Sequence, residues 1–219
     1  MTSPSPAPRI GILGGSFDPV HVGHLAIAEQ AVKAARLDRV VFVPAADSPF
    51  KIGQMTAPAS ERLHLLALAV CGDPRFEVSD VEIRRGGVSY SIDTVERLVR
   101  DGPDGARWFF IIGADNLSEL HRWHRAAELV KLCSFLSFGR DSAVVRESDL
   151  GFDPETNARL RAGFAGEFSV PVSSTMVRRR LLRGESVRGL VPESVEKALL
   201  VSPSYCGSRD GARPKGCVQ

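Results

Sequence analysis

The sequence of 219 residues predicts one α/β domain in which a parallel β-sheet carries helices on both faces. Short apolar runs that are typical of buried strands alternate along the chain with segments whose apolar residues recur at helical spacing. Strands that are separated by helices pair in parallel through right-handed crossovers. A chain of this length removes roughly 70% of its unfolded surface from water, so its core needs no disulfide or metal.

The first half of the chain predicts three strands, each a short apolar or β-branched run. They cover residues 9–13, 39–43 and 75–79, with 81–83 as an extension of the third. Helices are predicted over residues 22–37 and 60–70 and in a segment that ends at residue 100. Asp93 and Glu96 are spaced as a capping box at the start of that last helix. Residues 44–58 form a loop of about fifteen residues, a length that indicates function.

The second half of the chain predicts three further strands, at residues 107–112, 133–138 and 168–172. Helices are predicted at residues 116–120, 125–132, 174–183 and 192–200, and residues 139–166 carry no clear periodicity. Residues 1–8 and 202–219 are rich in Ser, Pro and Gly, and we expect both segments to be disordered. The folded domain is therefore predicted to span residues 9–201.

Composition and charge argue against several classes of partner. The 28 basic and 26 acidic residues are interspersed and give a net charge of +2, so no long-range field favours a nucleic acid or an anionic membrane. We expect no signal peptide in the first ten residues and no membrane span, since no run of about 18 apolar residues occurs. The four cysteines show no metal-site spacing, which predicts reduced thiols in a cytoplasm.

The strongest chemical signal is the string GGSFDPVHVGH at residues 14–24, directly after the first predicted strand. Its glycines allow a phosphate to approach the backbone, and the amides of Ser16 and Phe17 are left to donate to it. His21 and His24 are three residues apart at a helix start, so both imidazoles project to one side of the first turn. This arrangement suits a phosphate that gains negative charge during a reaction. The alternative is a glycine-rich turn followed by two structural histidines.

This string resembles the first motif of the nucleotidyltransferase superfamily of adenylyl- and cytidylyltransferases. A second string, VSSTMVR at residues 172–178, is similar to an element near the C-terminus of bacterial nicotinate-nucleotide adenylyltransferases. In physical terms Ser173 is a good N-cap, the next amides are unsatisfied, and Arg178 follows one turn later. We therefore expect a second anion site that faces the first. The alternative is a plain capped helix with solvated arginines.

Three further strings narrow the resemblance to the nicotinate branch: residues 82–94, residues 111–117 with Trp123, and residues 190–192. The likeness extends over residues 9–200. It implies a Rossmann-like sheet of the nucleotidyltransferase type and a reaction in NAD biosynthesis that joins nicotinic acid mononucleotide and ATP to give deamido-NAD and pyrophosphate. The 5′-phosphate of the mononucleotide would attack the α-phosphorus of ATP in line, with no protein nucleophile. ATP would bring Mg²⁺ with it, since no carboxylate cluster in the sequence offers a separate metal site.

The resemblance also implies the site residues. Those expected to act on the reacting phosphates are His24 at the α-phosphate, with His21 and Arg178 at the departing pyrophosphate. Those expected to bind ATP are Gly14, Gly15, Ser16, Phe17, His24, Gly113, Asp115, Ser174, Thr175 and Arg178. Those expected to bind the mononucleotide are Ser16, Lys51, Thr94, Trp123 and His124.

Several of these residues have structural alternatives. Thr94 could open a helix that Asp93 caps, Trp123 could be a core aromatic, and Asp115 could be an N-cap. Three other polar residues, Arg62, His64 and His121, are interpreted as structural.

Three departures from the family pattern concern the loop and the base side: Phe50 stands where histidine is frequent, and His124 and Gly189 stand where tyrosine is frequent. Both phosphate motifs are intact. Two other interpretations stay open, a sister transferase acting on phosphopantetheine or on nicotinamide mononucleotide, and a nucleotide-binding regulator without turnover. A homo-oligomer is compatible with the sequence.

Overall fold

The computed structural model describes residues 6–47, 57–139 and 150–206. Within these ranges the chain forms one six-stranded sheet in which all neighbouring strands are parallel, in the order β3-β2-β1-β4-β5-β6. The strands are β1 (Arg9–Gly15), β2 (Arg39–Pro44), β3 (Phe76–Val78), β4 (Arg107–Gly113), β5 (Ser134–Gly139) and β6 (Phe164–Glu167). The predicted α/β class is confirmed.

Helices cover both faces of the sheet. They are α1 (Val22–Ala35), α2 (Ala59–Val70), α3 (Val81–Arg85), α4 (Ser91–Asp101), α5 (Ala114–Ser118), α6 (Ala126–Leu132), α7 (Pro154–Ala162), α8 (Ser174–Leu182), α9 (Glu193–Leu199) and α10 (Pro203–Cys206), with a 3₁₀ turn at Leu120–Arg122. One core lies between the sheet and α1, α2, α8, α9 and α10, and a second lies between the sheet and α4, α5, α6 and α7. Among the described residues, no helix is long and apolar enough to cross a membrane.

The central strands serve both cores because successive side chains point to opposite faces. In β4, Phe109 and Ile111 pack into the first core, whereas Phe110 and Ile112 pack into the second. After a leading arginine, such strands are continuously apolar, which is why the sequence predicted residues 107–112 and 39–43 correctly.

Three local predictions were wrong. Residues 81–83 belong to helix α3 and not to an extension of β3. The last strand is β6 at Phe164–Glu167 and not residues 168–172, whose apolar side chains pack into the first core without joining the sheet. The predicted capping box at Asp93 and Glu96 does not form, because helix α4 begins two residues before Asp93. Asp93 lies within the first turn of α4 and pairs with Arg125 at 3.8 Å.

The C-terminal boundary also differs from the prediction. Residues 203–206 were expected to belong to a disordered tail, but they form α10, and the side chain of Tyr205 is only 1% exposed. The hydroxyls of Ser202 and Ser204 donate to Glu61 on α2. The helix is ordered because an aromatic ring enters the core and its polar neighbours find partners. The other expected tail positions, 207–219, and residues 1–5 lie outside the described residues.

Candidate active site

The turn after β1 brings backbone and aromatic ring into close contact. A Cβ built on Gly15 would lie 3.1 Å from the ring of Phe17, which is buried and has a left-handed φ of 46°. The same ring meets the imidazole of His24 edge-on, at 4.9 Å between centroids. A side chain at position 15 would therefore crowd the buried ring of Phe17, which would have to shift by a few tenths of an ångström.

The two histidines of the first motif stack on each other at the start of α1. Their ring centroids are 3.7 Å apart and the planes differ by 23°. The backbone N–H of His21 donates to Nδ1 of His24 at 3.2 Å, so a neutral His24 carries its proton on Nε2. A Cβ on Gly23 would lie 3.1 Å from the His21 ring and 3.0 Å from Val172, so this glycine lets the second motif approach the first.

The second motif caps helix α8 as predicted. The side chain of Ser173 accepts from the amide of Met176 at 3.1 Å. Ser174 Oγ donates to the carbonyl of Pro19 at 2.9 Å, and Arg178 Nη1 donates to the carbonyl of Asp18 at 2.6 Å. The Asp18–Pro19 segment, whose peptide bond is cis, therefore joins the two segments that are predicted to bind phosphate.

Asp18 is a central residue that sequence reasoning did not assign. Its side chain is 5% exposed, and Oδ1 accepts from the Tyr205 hydroxyl at 2.7 Å and from the Ala57 amide at 3.3 Å. Its Oδ2 lies 3.8 Å from Arg178 Nη1. An acid inside the glycine motif was visible in the sequence, but its partners lie far along the chain.

Arg62 on α2 holds this edge of the sheet together, in agreement with its structural interpretation. It is 1% exposed and donates to four backbone carbonyls, those of Ser16, Ala45, Ala46 and Ala57. Burial lowers the pKa of its guanidinium, while the charge of Asp18 acts in the opposite direction. Arg62 thus fixes the phosphate turn after β1 to the segment after β2.

The predicted adenosine side lies at the end of β4, which neighbours β1 in the sheet. A Cβ on Gly113 would lie 2.3 Å from Oδ1 of Asp115, so this carboxylate folds back over the glycine. Gly113 itself is the N-cap of α5, and Asp115 is an exposed residue in its first turn. The alternative role of Asp115 as an N-cap is therefore wrong.

The residues predicted for the nicotinate side lie on α4 and after the 3₁₀ turn. Thr94 is 2% exposed, and its hydroxyl contacts Glu82 at 2.5 Å and the Tyr90 carbonyl at 3.3 Å. The half-buried Trp123 meets Phe110 edge-on at 6.0 Å. The Thr94 hydroxyl is thus turned inward, and Trp123 packs against the second core while staying partly exposed.

His124 lies at the rim of this side. It is exposed, and its ring centroid is 4.4 Å from that of Tyr90, which precedes α4. Lys51, the remaining residue predicted for the mononucleotide, lies outside the described residues, as does Phe50.

Glu82 is a second residue that sequence reasoning left without a role. It is buried and bonds to both Ser89 and Thr94, yet burial outweighs these bonds and raises its pKa. Ser89 Oγ also accepts from the amide of Ala46 at 3.0 Å. A buried polar network therefore runs from the segment after β2 to Thr94.

The described residues contain no group of three or more His, Cys, Asp or Glu side chains that could hold a metal ion. The side chains that lie beside the end of β1 include two imidazoles, the Arg178 guanidinium and the buried carboxylate of Asp18. The N–H groups of imidazole and guanidinium suit phosphate oxygens.

Comparison with known proteins gives concordant results. Residues 12–180 match the model of the cytidylyltransferase-like family. A probable nicotinate-nucleotide adenylyltransferase of Dehalococcoides mccartyi is 38% identical over 187 residues, which cover 85% of this chain and 92% of the relative. One from Synechococcus is 41% identical over 201 residues, 90% of this chain and 94% of the relative.

The solved structures agree on the fold. Nicotinic acid mononucleotide adenylyltransferase of Plasmodium falciparum, complexed with NaAD, superposes with a TM-score of 0.66 at 16% identity and covers 88% of this chain and 95% of that one. The same enzyme complexed with APC gives a TM-score of 0.64 at 15% identity, over 88% of this chain and 94% of that one.

Proposed function

The chain belongs to the cytidylyltransferase-like family and, within it, to the nicotinate-nucleotide adenylyltransferases, and on this basis we propose how its residues carry the reaction. The enzyme joins nicotinic acid mononucleotide and ATP to give deamido-NAD and pyrophosphate, a step of NAD biosynthesis. The observation that carries the proposed assignment of residues is the junction at Asp18 and Pro19, whose carbonyls hold Arg178 and Ser174. It brings two anion-binding motifs from distant parts of the chain to one place.

The reaction needs positioning and charge stabilisation rather than a protein nucleophile. An oxygen of the mononucleotide 5′-phosphate forms a bond to the α-phosphorus of ATP, and the bond from that phosphorus to the bridging oxygen breaks. The electron pair leaves with pyrophosphate. The attacking phosphate is already anionic, so no general base is required. The protein has to align the two phosphates and to neutralise the charge that develops.

Each motif supplies part of that charge stabilisation. We assign the α-phosphate to the Nε2–H of His24 and to the turn amides of Ser16 and Phe17, since a neutral His24 has its Nδ1 engaged as an acceptor. We assign the departing pyrophosphate to Arg178, with Thr175 beside it and His21 stacked on His24. A guanidinium has five donors, and within the described residues Arg178 uses Nη1 and Nη2 toward Asp18 and Thr175.

Nucleotidyltransferases use a divalent metal with ATP, and we propose Mg²⁺, held by the ATP phosphates as part of the substrate. The side chains beside β1 fit this interpretation, because His24 and Arg178 are N–H donors and the one carboxylate described beside them, that of Asp18, accepts from Tyr205 and Ala57. The phosphates, rather than a protein carboxylate cluster, would then provide the oxygen ligands that Mg²⁺ prefers.

We assign the adenosine of ATP to Gly113 and Asp115 at the end of β4. We assign the mononucleotide to the side formed by Thr94, Trp123 and His124. The exposed part of Trp123 offers a face on which the nicotinate ring can stack, and backbone amides near Thr94 and His124 would receive its carboxylate. Ser16 and Lys51 complete the proposed set of mononucleotide-binding residues, on the side of its phosphate.

Cytoplasmic location stays a prediction.

Selectivity for nicotinate follows from hydrogen-bond chemistry. A carboxylate accepts from two N–H donors, whereas a carboxamide turns a donor toward one of them and leaves a partly buried group unsatisfied, at a cost of about 1–3 kcal/mol. We expect kcat/KM for nicotinic acid mononucleotide to exceed that for nicotinamide mononucleotide by at least about a hundredfold, which corresponds to about 2.8 kcal/mol and so to the upper end of that range.

The test is pyrophosphate release measured with ATP and each mononucleotide, with phosphopantetheine as a third acceptor. Equal efficiency with both mononucleotides would show a dual-specificity enzyme. Turnover with phosphopantetheine alone would indicate the sister transferase, and no turnover with any acceptor would indicate a regulator.

A further inference from the structure

We propose that Tyr205 is a positioning residue for adenylyl transfer, because its hydroxyl holds the Asp18 carboxylate and thereby keeps the Arg178 guanidinium available for the phosphates of ATP. This inference rests on the proposed function and adds to it a residue from the last described helix, outside both phosphate motifs.

The contact is short and buried at both ends. The Tyr205 hydroxyl donates to Asp18 Oδ1 at 2.7 Å, and the two residues are 1% and 4% exposed. Helix α10, which carries Tyr205, packs against α8, which carries Arg178. Burial and the hydrogen bond to Asp18 both raise the pKa of Tyr205, so its hydroxyl keeps the proton and stays a donor at neutral pH.

Asp18 is the point at which a change at Tyr205 would reach the site. Its backbone carbonyl already accepts from Arg178 Nη1 at 2.6 Å, while its carboxylate oxygen Oδ2 lies 3.8 Å from the same nitrogen. Without the Tyr205 hydroxyl, Oδ1 keeps the longer bond from the Ala57 amide at 3.3 Å, and a buried carboxylate that has lost a short hydrogen bond is stabilised by taking a new charged donor. Arg178 is a charged donor within reach of a small rotation.

Such a rotation would tighten the ion pair between Arg178 and Asp18, in which Nη1 and Oδ2 now lie 3.8 Å apart. The guanidinium would then be partly neutralised and turned away from the pyrophosphate. The expected deficit therefore concerns ATP and the transfer step, and it leaves binding of the mononucleotide, on the Trp123 side, largely unchanged.

If Tyr205 had a purely structural role, the expected result would be different. Residues 202–206, which carry Tyr205, also offer a matched control. Ser202 and Ser204 donate to Glu61 on α2, with 2.6 Å for Ser204. Replacing both serines by alanine weakens the docking of α10 without touching Asp18. If docking alone matters, this control variant and Tyr205→Phe should affect activity in the same way.

The experiment compares wild type, Tyr205→Phe and the double variant Ser202→Ala/Ser204→Ala by steady-state kinetics in both substrates and by thermal melting. We expect Tyr205→Phe to lower kcat/KM for ATP by about tenfold with KM for the mononucleotide within about twofold. The serine control should keep kcat/KM for ATP and KM for the mononucleotide within about twofold of wild type. Its Tm should fall by as much as that of Tyr205→Phe, or by more. An ATP effect below about twofold in Tyr205→Phe, or equal ATP losses in both variants, overturns the proposal.

Calorimetric titration with the magnesium complex of ATP separates this inference from the proposed function. If the wild-type protein does not turn over the mononucleotide, the proposed function is refuted. The ATP affinities of Tyr205→Phe and of the serine control can still be compared in that case. Weaker ATP binding by Tyr205→Phe than by the serine control then supports the role of Tyr205, and equal binding refutes it.

Discussion

Replacing Arg62 by lysine tests whether one buried guanidinium organises the phosphate edge of the sheet. Arg62 donates from Nη1 to Ser16 at 2.7 Å, from Nη2 to Ala45 at 2.7 Å and Ala46 at 3.1 Å, and from Nε to Ala57 at 3.2 Å. Lysine keeps the charge and the apolar stem, but all its donors sit on one nitrogen. It cannot meet carbonyls that now bond to three different nitrogens.

The expected cost follows from the bonds that are lost. If lysine retains two of the four bonds, two hydrogen bonds to a charged group disappear, at about 1.5 kcal/mol or more each. The free energy of unfolding should then fall by about 3 kcal/mol. At roughly 2–4 °C per kcal/mol for a domain of this size, Tm should fall by roughly 6–12 °C.

Urea denaturation and calorimetric melting measure this change. Arg100→Lys is the control, because Arg100 is exposed on α4 and pairs only peripherally with Asp101 at 3.4 Å. Exposed pairs contribute about 1 kcal/mol at most, so this variant should stay near wild type. If Arg62→Lys also stays within about 0.5 kcal/mol of wild type, the four carbonyl contacts do not hold the edge together and the reasoning fails.

Three further predictions concern single side chains. His24→Ala should lower kcat by roughly 10² or more with little change in ATP affinity, since its interaction forms mainly in the transition state, and near-normal kcat at saturation would refute the assignment. Burial raises the pKa of Glu82 above its ordinary value of 4.5, so the folded protein holds that proton more tightly and stability should decline as pH rises through the raised pKa. Glu82→Gln should flatten that decline in urea titrations between about pH 4 and 8, and an unchanged slope would count against it. Burial also raises the pKa of the Cys133 thiol to about 12. An aromatic disulfide reagent should therefore label the exposed Cys71 in the native state and Cys133 only after unfolding. Mass spectrometry of the labelled peptides checks this result.

The sequence predicted the features that depend on neighbouring residues. Strand β4 was evident because residues 108–112 are all apolar, and the cap at Ser173 was evident because capping is local. Strand β6, with sequence FAGE, has neither an apolar run nor alternation, so it was missed. The pairing of Tyr205 with Asp18 joins positions 187 residues apart, and no local pattern reveals it.

The candidate site divides in the same way. The approach of residues 172–178 to residues 14–24 was expected from the cap at Ser173 and the position of Arg178, and the structure shows it, whereas phosphate binding by the two segments stays a prediction. The inward turn of the Thr94 hydroxyl toward Glu82 could not be predicted, because it depends on how α3 packs beside α4. Buried polar partners of this kind are decided by tertiary packing rather than by spacing along the chain.

The outer strands of the sheet also affect how the protein behaves at high concentration. An exposed strand edge is a template on which another chain can add by backbone pairing, and long flat edges favour aggregation. Here the two outermost strands, β3 and β6, are three and four residues long, and β6 contains Gly166 with a φ of 105° and pairs irregularly with β5. A second chain would find few aligned amides on either side, so edge-to-edge polymerisation of the folded state is disfavoured.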